Sequence, residues 1–163
     1  MLILRKGQIM SKTLVIYFSI TGTTKRLAET IASRLGADTY AIQAEEPYSQ
    51  SDLTWTDDNC RANQEQNNPA SRPEFVGYLP DISGYDTIII GHPIWWGIPP
   101  RIVETVVEKL DLTGKRVATF ATSGGSTYAQ SQTFFNQLLA EQPLPGDVLS
   151  SQATLEKWLT ALD

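Results

Sequence analysis

In 163 residues the chain has one cysteine and one histidine. The lone thiol, Cys60, excludes an internal disulfide, so a reducing cytoplasm is the expected compartment. One imidazole and one thiol do not make a metal-ligand set. Cys60 and His92 are far apart in sequence, which argues against a thiolate–imidazole pair for nucleophilic catalysis. No apolar run reaches the ~20 residues of a membrane-spanning helix. The first residues begin apolar but have neither a signal-peptide core nor a cleavage site. Met10-Ser11-Lys12 reads as a second start, so 1–11 is expected to be an extension outside a single domain of 12–163. Positive charge is also in short supply: 13 Lys and Arg against 18 Asp and Glu leave a net charge of −5. That balance offers no basic face for nucleic acid and is compatible with a basic protein partner. With 41% apolar and 19% charged residues, the chain is that of a soluble globular protein with room for a full α/β core.

Several glycine motifs are missing as well. There is no Gly-x4-Gly-Lys-Ser/Thr loop, no Gly-x-Gly-x-x-Gly dinucleotide fingerprint and no Gly-x-Ser-x-Gly elbow. A phospho-receiver would need an acidic pair after its first strand and an acceptor Asp after its third. Here those places hold Ser19-Ile20 and His92-Pro93.

What is present begins with Leu14-Val-Ile-Tyr-Phe18, a run of apolar, β-branched and aromatic residues. It leads into Ser19-Ile20-Thr21-Gly22-Thr23-Thr24. The apolar spacing then becomes helical, at Leu27, Ala28, Ile31, Ala32 and Leu35. The turn between strand and helix is suited to an anion. The first amides of a helix lack intrahelical acceptors and sit at the positive end of its dipole. Four hydroxyls add donors, and Gly22 lets backbone approach a ligand. A phosphate fits such a turn, and so does a helix simply capped by Ser or Thr.

The rest alternates. Thr13–Phe18 is expected as a buried strand, Thr23–Leu35 as a helix stopped by Gly36, and Asp38–Ile42 as a strand near an edge. Residues 43–83 are polar and rich in Asn, Gln, Asp and Pro. Within them Leu53–Gln66 is expected as a helix capped by Ser51 or Asp52, with Trp55 inward and Arg61 outward. Asp86–Gly91 reads as a central strand, His92–Pro100 as a loop, Arg101–Leu110 as a helix and Lys115–Ala121 as a fourth strand. Gln130–Glu141 and the region around Leu155, Trp158, Leu159 and Leu162 read as helices. Residues 144–150 are a poor fifth strand, since Pro145 and Gly146 interrupt them. This alternation predicts a three-layer α/β sandwich on a five-stranded parallel sheet with right-handed crossovers. Of the common doubly-wound orders, 2-1-3-4-5 is the one chosen here. In such a sheet ligands bind beyond the carboxyl ends of the strands, where the order reverses. Three loops lie there: 19–24, 92–98 and 122–128.

The second loop, Pro93-Ile94-Trp95-Trp96-Gly97, carries two tryptophans that suit a flat aromatic ligand, or else fill a gap against the following helix. The third, Thr122-Ser123-Gly124-Gly125-Ser126, offers amide donors and close backbone approach. Tyr128 either covers a bound ring or packs on the loop. His92 reads as structural.

Together these three motifs, in a chain segment of about 12–162, resemble a short-chain flavodoxin, and most closely the bacterial flavodoxins with a Pro-Ile-Trp-Trp-Gly flavin loop. The resemblance implies non-covalent FMN and one-electron exchange with partner proteins, a reductase and an acceptor. It implies that loop hydrogen bonds and nearby charge tune the flavin's energies. It assigns the phosphate to Ser19, Thr21, Gly22, Thr23 and Thr24, with Ile20 among the cofactor-binding residues of the same loop. The ring system falls to Pro93, Ile94, Trp95, Trp96 and Gly97 on one side, and to Thr122, Ser123, Gly124, Gly125 and Tyr128 on the other. Either tryptophan could stack. The alternatives are a small FMN-dependent reductase of quinones or nitro compounds, whose substrate cavity could come from 43–83, and a cofactor-free interaction module of the same fold. A monomer or weak dimer, with no membrane or nucleic-acid partner, completes the expectation.

Overall fold

The computed structural model describes residues 12–163. The expected extension over 1–11 lies outside the described residues. Five parallel strands, β1 (Thr13–Phe18), β2 (Asp38–Ile42), β3 (Thr87–Pro93), β4 (Arg116–Thr122) and β5 (Asp147–Val148), form one sheet in the order β2-β1-β3-β4-β5. Its centre is the pairing of β1 with β3, which aligns Val15 with Ile89 and Tyr17 with Gly91. The expected order is therefore the observed one. The doubtful fifth strand exists, but it is only two residues long, pairing Asp147 with Phe120 and Val148 with Ala121.

The strands' two-residue periodicity sorts their side chains into two cores. Leu14, Ile16, Phe18, Ile88 and Ile90 pack against α3 (Arg101–Glu108) and α4 (Ala129–Leu138) on one face. Val15, Tyr17, Ile89 and Phe120 pack against α1 (Thr23–Leu35) and α5 (Gln152–Ala161) on the other. Gly36, at φ 63°, ends α1 as expected, and Ser151 begins α5 with a capping box completed by Thr154.

Boundaries moved where a proline or a pairing overruled local pattern. β3 runs on through His92 and Pro93, because both are held in register by β4 opposite Ala121 and Thr122. α4 stops at Leu138, three residues short of the expected end, where Leu139 turns to extended backbone. Among the described residues, no helix is long and apolar enough to cross a membrane.

The largest correction falls in the polar segment. The helix expected over Leu53–Gln66 is instead a 3₁₀ turn at Ser51–Leu53 followed by the short α2 (Arg61–Gln66). Local side-chain bonds explain the break. Asp52 accepts from the amide of Ser49 (2.9 Å), and Asp57 accepts from that of Asn59 (2.9 Å). Such Asx contacts compete with helix. Cys60, not Ser51 or Asp52, caps α2, its sulfur accepting from the amide of Asn63. The two facing assignments also reverse. Trp55 is 66% exposed. Arg61 turns inward, stacks on the Tyr48 ring (3.8 Å to its centroid) and pairs with Glu65 at 2.8 Å. An antiparallel bridge between Ala44 and Phe75 closes the base of the excursion.

Candidate functional site

At the carboxyl ends of β1, β3 and β4 lies a cavity of about 340 Å³. Ile20, Thr21 and Thr24 line it from the first loop, Pro93, Ile94, Trp95 and Trp96 from the second, and Thr122 from the third. Four more residues come from the polar segment: Leu53, Trp55, Ala62 and Asn63. No lining residue is acidic, and every hydroxyl among them can donate.

The first loop turns on its glycine. Gly22 occupies the cap of α1 at φ 93°, a conformation that glycine adopts without strain. The α1 start thus carries no side-chain cap bond of its own. Ser19 accepts from the Gly22 amide (3.2 Å) and so braces the turn. Thr21 and Thr23 hydroxyls lie 3.3 Å apart. Thr24 is buried, and its hydroxyl meets that of Thr122 at 2.8 Å, joining the first loop to the third.

The aromatic loop is a tight turn. The Trp95 amide donates to the Ile98 carbonyl (2.9 Å), and Ile98 returns the bond. Trp96 takes φ 55° and Gly97 φ 87°, a left-handed pair in which the tryptophan is the unusual member. Neighbours hold it there. Ser131 donates to the Gly97 carbonyl (2.8 Å), and buried Gln66 donates to the carbonyls of Trp95 (2.8 Å) and Pro99 (3.1 Å). Those two bonds orient the Gln66 amide and leave its Oε1 unpartnered among the described residues. The tryptophans differ in setting. Trp95 packs edge-on against Phe18 and Tyr48 beside the core. Trp96 is 60% exposed, with its indole N–H donating to Asn63 Oδ1 at 2.6 Å.

Ser19, Gly22, Thr23 and Gly97 shape the loops without bordering the cavity. The same is true of Ser123, Gly124 and Gly125, where Ser123 Oγ accepts from the amides of Gly125 and Ser126. Tyr128 is a correction. It does not border the cavity but is buried behind it, with its hydroxyl 2.6 Å from Thr119 Oγ1 and 3.1 Å from His92 Nε2. A phenol with two buried polar partners is better placed inside than over a ring at the rim. Trp55 and Asn63 carried no motif. Their signal lay in pairing across more than thirty residues with Trp96, which no local pattern reveals.

His92 is fully buried. The Pro93 carbonyl can only accept, so neutral His92 carries its proton on Nδ1 (2.8 Å from that oxygen). Burial pushes its pKa down to about 4. A base whose folded pKa lies below its usual 6.5 takes up its proton on unfolding, so stability is intact above pH 6.5 and falls as the pH drops toward 4. The loss reaches about 2 kcal/mol by pH 5, above the range in which exposed carboxylates titrate. Denaturant unfolding between pH 7 and 5 measures this slope, and His92→Gln, which cannot titrate, is expected to flatten it.

A flavodoxin family model matches residues 12–162. The chain belongs to the flavodoxin family. This flavodoxin-family chain is 39% identical to a protein of Bacteroides eggerthii classed as a flavoprotein, with a TM-score of 0.87 over 93% of this chain and 97% of that one. A flavoprotein of Lactobacillus acidophilus, solved in complex with FMN, is 27% identical, with a TM-score of 0.71 over 92% and 99%. Flavodoxin 1 of Bacillus cereus, at 20% identity and a TM-score of 0.50 over 92% and 93%, shares the fold. No curated protein matches.

Proposed function

We propose that this flavodoxin-family chain binds FMN non-covalently and carries single electrons between partner proteins, as a short-chain bacterial type with a Pro-Ile-Trp-Trp-Gly flavin loop. One observation carries the reading: a hydroxyl-rich helix start and an aromatic loop, 69 residues apart from Thr24 to Pro93, open into the same cavity, which has no acidic lining. The site's chemistry fits the cofactor. Uncapped first-turn amides of α1 and the hydroxyls of Thr21 and Thr24 are donors for a phosphate dianion. The apolar walls at Ile94, Trp95 and Trp96 suit a ring system.

The bound flavin supplies reversible one-electron chemistry. The chain's own residues bind, orient and shield. Thr24 and Thr122 hold the phosphate end against the sheet. Trp96 stacks, because Trp95 is already committed to Phe18 and Tyr48.

Thr24→Ala tests the phosphate assignment. A hydrogen bond to a charged group contributes about 1.5–3 kcal/mol, so FMN affinity is expected to fall about tenfold or more. The far-UV spectrum should not change. Equal affinity for FMN in the variant and the parent would remove Thr24 from the phosphate site.

A further inference from the structure

The polar segment contributes to the cavity, and one side chain in it touches both exposed tryptophans. Asn63 is 3% exposed. Its Nδ2 donates to the carbonyls of Trp55 (2.8 Å) and Asp57 (3.0 Å), while its Oδ1 accepts from Trp96 Nε1 (2.6 Å). The chemistry fixes this orientation, since an indole N–H only donates and a carbonyl only accepts. A buried amide is costly unless its bonds are made, and here three are made, two of them to the rim residues Trp55 and Trp96.

We propose that Asn63 is a positioning residue for the flavin site, setting Trp55 and Trp96 relative to each other, and that Trp55 contacts the bound ring system. The proposal rests on the reading of this cavity as an FMN site. Trp96 needs such a tether. Its left-handed backbone is unfavourable for a bulky residue, and without the Asn63 bond its indole would be free to leave the rim. Trp55 and Trp96 stand with centroids 6.2 Å apart and planes at 74°. Two rings so inclined cannot both lie flat on one planar ligand. If Trp96 stacks on a face, Trp55 meets the ring system at its edge. Both are more than half exposed, so neither position is imposed by core packing. α2 itself is anchored independently, through Arg61 on the Glu46 carbonyl (2.7 Å) and Arg101 on the Gln66 carbonyl (2.9 Å).

The test combines FMN titration with circular dichroism of the ligand-free protein, where an inclined indole pair at this distance gives an exciton couplet. Trp55→Ala is expected to raise the FMN Kd about fivefold to tenfold and abolish the couplet, with thermal stability unchanged. Asn63→Leu is expected to abolish the couplet and raise the Kd about tenfold. Trp96→Phe keeps a ring but loses the N–H donor, so its effect on Kd should be smaller in the Asn63→Leu background than in the parent. Should the leucine variant not fold, Asn63→Asp serves. It keeps the acceptor for Trp96 but turns an oxygen toward two carbonyls, and a weakened couplet with a raised Kd is expected. An unchanged Kd in Trp55→Ala overturns the contact. Additive effects of the 63 and 96 substitutions, or an Asn63→Asp protein with parental Kd and couplet, overturn the positioning role. If the parent binds no FMN, the flavin reading fails and takes the Trp55 contact with it, whereas loss of the couplet in the Asn63 variants still decides the tether.

Discussion

Replacing Trp96 by alanine is expected to lower FMN affinity by about ten- to a hundredfold while leaving the fold intact. A buried aromatic pair contributes roughly 0.5–1.5 kcal/mol beyond its area, and burying an aromatic face adds roughly 25 cal/mol per Å². The sum corresponds to one or two powers of ten in Kd. The domain should tolerate the change, because Trp96 is 60% exposed and makes a single side-chain hydrogen bond, to Asn63. Relief of the left-handed strain does not follow, as alanine is also disfavoured there. Trp95→Ala offers the contrast. It removes the ring that packs on Phe18 and Tyr48, so its cost should appear mainly as lost thermal stability. Titration with FMN and thermal melting of the two variants separate these roles. A Trp96→Ala protein with parental Kd would show that the exposed indole does not stack.

The largest loss of stability is expected from Gly91→Ala. Gly91 faces Phe120 directly across the β3–β4 pairing. A Cβ at this position would lie 2.2 Å from Phe120 Cζ and within 2.8 Å of both Cε atoms. The phenyl ring has no room to retreat, being fully buried and packed edge-on against Trp158 at 5.6 Å. Trp158 is itself tied by its indole N–H to the Thr119 carbonyl (3.0 Å). Overpacking of this kind costs about 1–3 kcal/mol, which in a domain of this size lowers Tm by roughly 2–12 °C. Phe120→Leu in the same chain should restore part of the loss, so that the double variant is more stable than the sum of the single effects. Additive losses would place the strain elsewhere.

The two glycine-dependent sites differ in how far the sequence reveals them. Gly22 was legible, since a glycine among hydroxyls at a strand-to-helix switch has a local reason for being there. Gly91 read as the end of a strand, whereas it sits within one and makes space for Phe120, 29 residues away. The same division runs through the molecule. The parallel sheet followed from alternating periods, its order was a choice among doubly-wound arrangements, and the three loops followed from that order. The hydroxyl turn and the tryptophan pair announced themselves by residue type. The fifth strand was faint because two residues of pairing leave no periodicity to detect. The polar segment misled for a physical reason: the apolar positions of Leu53–Gln66 suggested one helix, but Asp52 and Asp57 spend their side chains on nearby amides, and Arg61 is drawn inward by Tyr48 and Glu65. As a result Trp55 and Asn63 reach the cavity by tertiary pairing alone, and no local pattern could have placed them there.

The most direct measurement is a visible absorption titration of FMN with the purified chain. Perturbed flavin bands that saturate at one FMN per chain are expected. Riboflavin, which lacks the phosphate proposed to sit at Thr21 and Thr24, is expected to bind more weakly. Bands that stay those of free FMN at excess protein would contradict the flavin reading, and the three loops would then have to serve some other ligand.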